Sequence, residues 1–179
     1  RIVAFTHLPD GETLAVASAI GVYLYDVHTL AVRRFLPAAS WVWSVAASPD
    51  GALLAAGLED GRVLLWLLAE ADAPLELPAH NQAVRVLTFS PDGALLASGS
   101  REGVARLWQG DSRTLLRSIK SGAGEIRALT FSADGAYLAL ACESRHIQVR
   151  RVRDGALMHT LRGHHQAVRS VAFTSDGRL

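Results

Sequence analysis

Residues 86–100 read VLTFSPDGALLASGS, and this stretch decides the architecture. An Asp-Gly pair, Asp92 and Gly93, stands between two β-rich apolar runs. Glycine accepts positive φ and the aspartate can accept hydrogen bonds from turn amides, so the segment reads as a β-hairpin. The same turn recurs: LPDGETLA carries Asp10 and Gly11, SPDGALLA carries Asp50 and Gly51, SADGAYLA carries Asp134 and Gly135, and SDGRL carries Asp176 and Gly177. Successive turn aspartates lie 40, 42, 42 and 42 residues apart.

A period of about 40 to 45 residues suits a four-stranded propeller blade better than the shorter helical repeats. After each hairpin a second turn, Asp60-Gly61 or Glu102-Gly103, leads to a third β-rich run ending at Trp66 or Trp108, and a fourth run such as LLRSI follows. Prolines keep to turns and run edges, and no 3.6-residue periodicity competes. The chain is therefore expected to be all-β, a β-propeller of four-stranded antiparallel blades. One blade has two apolar faces and can bury them only by stacking on others around an axis. Residues 1–179 divide into repeats at about 1–36, 37–79, 80–121, 122–163 and a truncated 164–179, or about four blades and the first strand of a fifth.

Half of the 179 residues are hydrophobic, enough for a packed core and too many for a disordered chain. The formal net charge of +1 supplies no global reason to expect a nucleic-acid or membrane partner. With Cys142 as the sole cysteine no intrachain disulfide can form, and the expected location is cytoplasmic. No apolar stretch has the length of a membrane span and no signal-peptide plan opens the chain, although a segment could precede Arg1. All basic residues but Lys120 are arginine, a bias of GC-rich genomes that suggests a bacterial source.

These turns and spacings resemble the WD40 (WD-repeat) propeller family over the whole length. That resemblance implies a buried hydrogen-bonded tetrad of histidine, serine or threonine, carboxylate and tryptophan in each intact blade, for which the third repeat offers His80, Ser100, Glu102 and Trp108. The second repeat places Ala38, Leu58, Asp60 and Trp66 at those offsets and the fourth Gly122, Cys142, Ser144 and Arg150, so both are expected to rely on apolar packing. In the first repeat Tyr25 and Asp26 look like the family's Trp-Asp pair, and Cys142 reads as an inert core residue. The family's usual ring of about seven blades would need roughly 290 residues, which makes this chain part of a ring.

Seven residues before the turn aspartates stand Trp43, Arg85, Arg127 and Arg169, a column that the resemblance puts near the channel mouth on successive blades. Arginine forks suit carboxylate or phosphate, so an acidic or phosphorylated peptide is one expected partner. These arginines could equally pair with Glu59, Glu102, Glu125 or Glu143. A second column, Glu59, Arg101 and Glu143, would mix the charge of the top face. No histidine falls in a metal-ligand spacing and no nucleophile elbow or phosphate loop occurs, so neither metal, cofactor nor catalytic residue is expected. The resemblance implies a noncatalytic protein-interaction scaffold inside a larger signalling or regulatory protein. An active site in the central channel and nucleic-acid binding by the arginine arc are the alternatives.

Overall fold

The computed structural model describes residues 4–70, 73–110 and 114–174. Its strands form four separate antiparallel sheets, each a simple meander of four neighbours. The first holds β1 (Phe5–His7), β2 (Thr13–Ala17), β3 (Gly21–Asp26) and β4 (Val32–Pro37). The second holds β5 (Val42–Ala47), β6 (Leu53–Leu58), β7 (Val63–Leu67) and β8 (Leu75–Leu77). The third comprises β9 (Val84–Phe89), β10 (Leu95–Ser100), β11 (Val104–Gln109) and β12 (Leu115–Lys120). The fourth comprises β13 (Ile126–Phe131), β14 (Tyr137–Cys142), β15 (Ile147–Arg151) and β16 (Leu157–Leu161). The first strands lie side by side, β1 against β5, β5 against β9 and β9 against β13, which makes them the inner edge of a partial ring of blades. No helix of the described residues is long and apolar enough to cross a membrane.

Three of the Asp-Gly hairpins close by the same chemistry. The Asp92 carboxylate accepts the Ala94 amide at 3.0 Å and the Ser90 hydroxyl at 2.6 Å, while Ser90 Oγ accepts the Leu95 amide at 2.9 Å. Ser48 and Asp50 repeat this set, as do Ser132 and Asp134. The serine hydroxyl bonded to each of these aspartates holds its carboxyl below the ordinary carboxylate range. In the first blade Leu8 replaces the serine, and Asp10 instead accepts the Glu12 and Thr13 amides, each at 2.9 Å. The turn at Asp176 and Gly177 lies outside the described residues.

Strand alternation divides the second and third blades each between two interfaces. Leu54, Ala56 and Leu58 of β6 face the first blade, packing with Ala15, Val22 and Leu24. Ala55 of the same strand faces the third blade with Val63, Leu65, Val84 and Leu96. A third cluster joins Ala97, Leu107 and Ile119 to Ile126, Leu138 and Leu140. Wholly buried leucines such as Leu54, Leu96 and Leu138 are each worth about 2 kcal/mol of burial, and they sit between sheets rather than within one.

The fifth repeat departs from expectation. Residues 164–174 form no strand; instead Val168 is buried against Ala139, Ala141 and Ile147, with Val171 and Phe173 packed beside it. The apolar pattern of an inner strand is therefore used for burial, with no strand formed among the described residues of this segment.

Candidate functional site

The tetrad of the third blade is assembled where the second and third blades meet. His80 lies in the link between β8 and β9, Glu102 in the turn after β10, and Trp108 near the end of β11. The indole N–H can only donate, and it donates to Ser98 Oγ at 3.1 Å. The Glu102 carboxylate beside His80 Nδ1 can only accept, so the neutral ring carries its proton on Nδ1, and Nε2 accepts from the Ser98 hydroxyl at 2.8 Å. The Nδ1 proton is donated to Glu102 Oε1 at 2.8 Å. Every polar group in this buried chain is satisfied, which is the condition for such a network to stabilise.

The expected serine was Ser100, and the structure corrects it to Ser98. Both project to the same face of β10, but Trp108 is paired with Leu96, so its indole reaches one step along that face, to Ser98. Ser100 lies a further step on, beyond a register shift, and its Oγ accepts the Glu102 amide at 3.1 Å. Glu102, with its extra methylene relative to aspartate, does span the gap to His80.

Burial pushes His80 down from 6.5 to about 4, outweighing the opposing pull of Glu102. Its ring is neutral in the folded protein at pH 7, whereas the unfolded chain takes up a proton near pH 6.5. The unfolded state thus binds more protons between these values, and stability should fall as pH drops from about 6.5 to about 4, by on the order of 3 kcal/mol in all. Urea midpoints across that range check this, and a His80→Gln variant should lack most of the slope; a flat profile in the unmodified chain would show that His80 is not buried in its neutral form.

The fourth blade also departs from expectation. In place of a tetrad, the buried Gln148 donates from Nε2 to the Ser121 carbonyl at 2.7 Å, and Arg150 donates to Gln148 Oε1 from Nε and Nη2 at 3.1 and 2.6 Å. Apolar packing is thus supplemented there by a different polar link. Cys142 is wholly buried, and burial raises its thiol above the ordinary range.

Arg85 and Arg127 of the arginine column come together with Trp43 at the rim where the inner strands begin. Arg85 lies over the Trp43 ring, its Cζ 4.0 Å from the centroid, and its Nε donates to Glu125 Oε1 at 2.8 Å. Glu125 Oε2 meets Arg127 at 2.9 Å, and Arg127 Nη2 reaches Glu143 Oε1 at 3.3 Å. At the other end the Trp43 indole N–H donates to the Glu59 carboxylate. The result is a ladder of alternating partners, Glu59, Trp43, Arg85, Glu125, Arg127 and Glu143, across three blades. Arg101 and Arg169 are exposed and stand outside it.

This geometry changes the reading of the column. The guanidinium groups of Arg85 and Arg127 are already paired, chiefly with the mostly buried Glu125, so they do not form an open arc for an acidic ligand. A residue missed in the sequence is Trp41, which stacks on Trp43 with ring centroids 6.0 Å apart. Its signal was the pair of tryptophans two residues apart in WVW, one just before β5 and one within it.

Comparison with known proteins agrees with this architecture. The family described as "WD domain, G-beta repeat" matches residues 30–66 and 74–109, and "Anaphase-promoting complex subunit 4 WD40 domain" matches residues 119–176. The first two matches are staggered against the sheets: each takes the outer strand of one blade, β4 or β8, with the three inner strands of the next. A relative, the pre-rRNA-processing protein IPI3 of Mycosarcoma maydis, is 37% identical over 70 residues, which is 39% of this chain and 12% of that protein. That relative is fungal, so the bacterial source suggested by composition gains no support from it. Matched repeats and four meandering four-stranded sheets together show that the chain carries WD40 repeats built into a partial β-propeller.

Proposed function

We propose that this chain is the propeller part of a noncatalytic interaction scaffold that binds a protein segment across its top face and channel rim, within a larger regulatory protein of the cytoplasm. The observation that carries the reading is the ladder from Glu59 to Glu143, which joins three blades into one polar and aromatic surface. Its three carboxylates outnumber its two guanidinium groups, which favours a protein partner recognised by shape and by a few exposed groups over a polyanion held by many free cations. The WD40 repeats support the same reading.

A second reading, membership of an assembly that processes pre-rRNA, is favoured by the name of the fungal relative. It is compatible with the first, because a scaffold in such an assembly need not touch RNA itself.

The test is affinity capture with this chain and with an Arg101→Glu, Glu143→Arg double variant. Both side chains are exposed, so the exchange should leave the fold intact. A specific protein enriched by the unmodified chain should be lost, or reduced about tenfold, with the variant. Equal capture by both would remove the rim from the proposal, and no specific capture by either would remove the scaffold.

A further inference from the structure

We infer that the rim of the second blade, at Trp41, Trp43 and Glu59, receives a guanidinium group, so that the partner presents an arginine-bearing peptide segment; this rests on the interaction reading above. The two aromatics break the repeat. Positions aligned with Trp41 are Ala83, Glu125 and Ala167, and those aligned with Trp43 are Arg85, Arg127 and Arg169. Only the second blade places two indoles side by side at the rim, with their planes 30° apart and Trp41 36% exposed.

The platform is held in place by its neighbours. The Glu59 amide donates to the Trp41 carbonyl at 2.9 Å, and the Trp43 indole N–H donates to the Glu59 carboxylate, which fixes that carboxylate beside the rings. Arg85 demonstrates the chemistry within the molecule, since its guanidinium already lies over Trp43. Its charge is taken by Glu125, whereas Glu59 has no ion-pair partner among the described residues. An exposed indole next to an oriented carboxylate that lacks a cation is complementary to a planar cation, which can stack on the ring and donate to the oxygen together. The expected partner thus has the opposite charge from the one suggested by the arginine column, because Glu125 and Glu143 already pair with Arg85 and Arg127.

The probe is the peptide acetyl-Ala-Arg-Ala-amide, titrated into the isotope-labelled chain while the indole N–H resonances of the four tryptophans are followed. Citrulline and glutamate versions serve as controls; citrulline keeps the planar shape and loses the charge. The arginine peptide should give saturable shifts at Trp41 and Trp43, with Trp66 and Trp108 unmoved in the core, and neither control should do so. Trp41→Ala and Glu59→Gln should each weaken binding by about tenfold, the scale of a cation–π contact or an ion pair. Unchanged Trp66 and Trp108 resonances report that the variants are folded. Absence of a saturable shift, an equal response to citrulline, a preference for the glutamate peptide, or unchanged affinity in both variants would overturn the assignment. If the titration fails while partner capture survives, the cation site falls and the scaffold reading stands; lost capture with an intact titration would count against the scaffold alone.

Discussion

Replacing Ser98 with alanine should lower the stability of the chain by about 3 kcal/mol, whereas Ser100→Ala should cost about 1 kcal/mol or less. Both serines are completely buried, so the difference does not come from exposure. Ser98 Oγ is at once the acceptor of the Trp108 indole N–H and the donor to His80 Nε2, and its loss leaves two buried polar groups without a partner. Each such orphan costs about 1 to 3 kcal/mol. Ser100 holds only the amide of Glu102, at 3.1 Å in a turn. Urea denaturation of the two variants in parallel decides the point. Equal losses would mean that the network does not run through Ser98, and a larger loss for Ser100→Ala would restore the assignment expected from sequence. The indole resonance of Trp108 should also move in Ser98→Ala and stay in place in Ser100→Ala.

Gly61→Ala should be more damaging still, at about 4 kcal/mol, and Gly11→Ala provides its control. The two glycines have similar backbone strain to offer an alanine, with φ of +91° and +70°. A Cβ on Gly11 would meet nothing within 4 Å, so that substitution should cost only the left-handed conformation, about 1 kcal/mol. A Cβ on Gly61 would stand 2.1 Å from the His80 carbonyl oxygen, a backbone atom that no rotamer change can clear. The same contact carries the His80 amide, which donates to the Gly61 carbonyl at 2.8 Å. Relief of the clash must therefore separate the turn of the second blade from the residue that starts the tetrad of the third. Thermal melts of both variants measure the contrast, and similar losses for the two would show that the second and third blades are not in close contact there.

These results have a common origin in the size of the repeat. A blade of this kind is stabilised mainly by its neighbours, because Leu54 and Ala55, adjacent in sequence, belong to clusters on opposite sides of one sheet. Damage at a junction such as Gly61 is thus felt by two blades together. The same organisation accounts for the rim ladder, whose longest steps, from Trp43 to Arg85 and from Arg85 to Glu125, cross from one blade to the next.

The repeat offsets pointed to His80, Glu102 and Trp108, which the structure joins through Ser98. They missed Ser98 because a two-residue step along β10 leaves the face unchanged, and only the cross-strand register with Trp108 distinguishes the two serines. The fifth repeat failed for a related reason. Its apolar pattern was legible and is used for burial at Val168, Val171 and Phe173, but alternation alone does not decide whether a segment joins a ladder, which takes a neighbouring strand.

The sequence by itself determined the Asp-Gly hairpins, the period of 40 to 42 residues and hence the four-stranded blade, because these depend on short-range backbone chemistry and on alternation within single strands. Only the tertiary structure decided that Glu125 pairs with Arg85 and Arg127, and that Trp41 and Trp43 stack beside Glu59, a carboxylate with no ion-pair partner among the described residues. The separation between Arg85 and Glu125 is 40 residues, and whether two such charges meet is set by how one blade rotates onto the next. A column of like residues in the sequence shows which side chains share a rim, but the charge that the rim presents depends on contacts between columns, which form only when the blades stack.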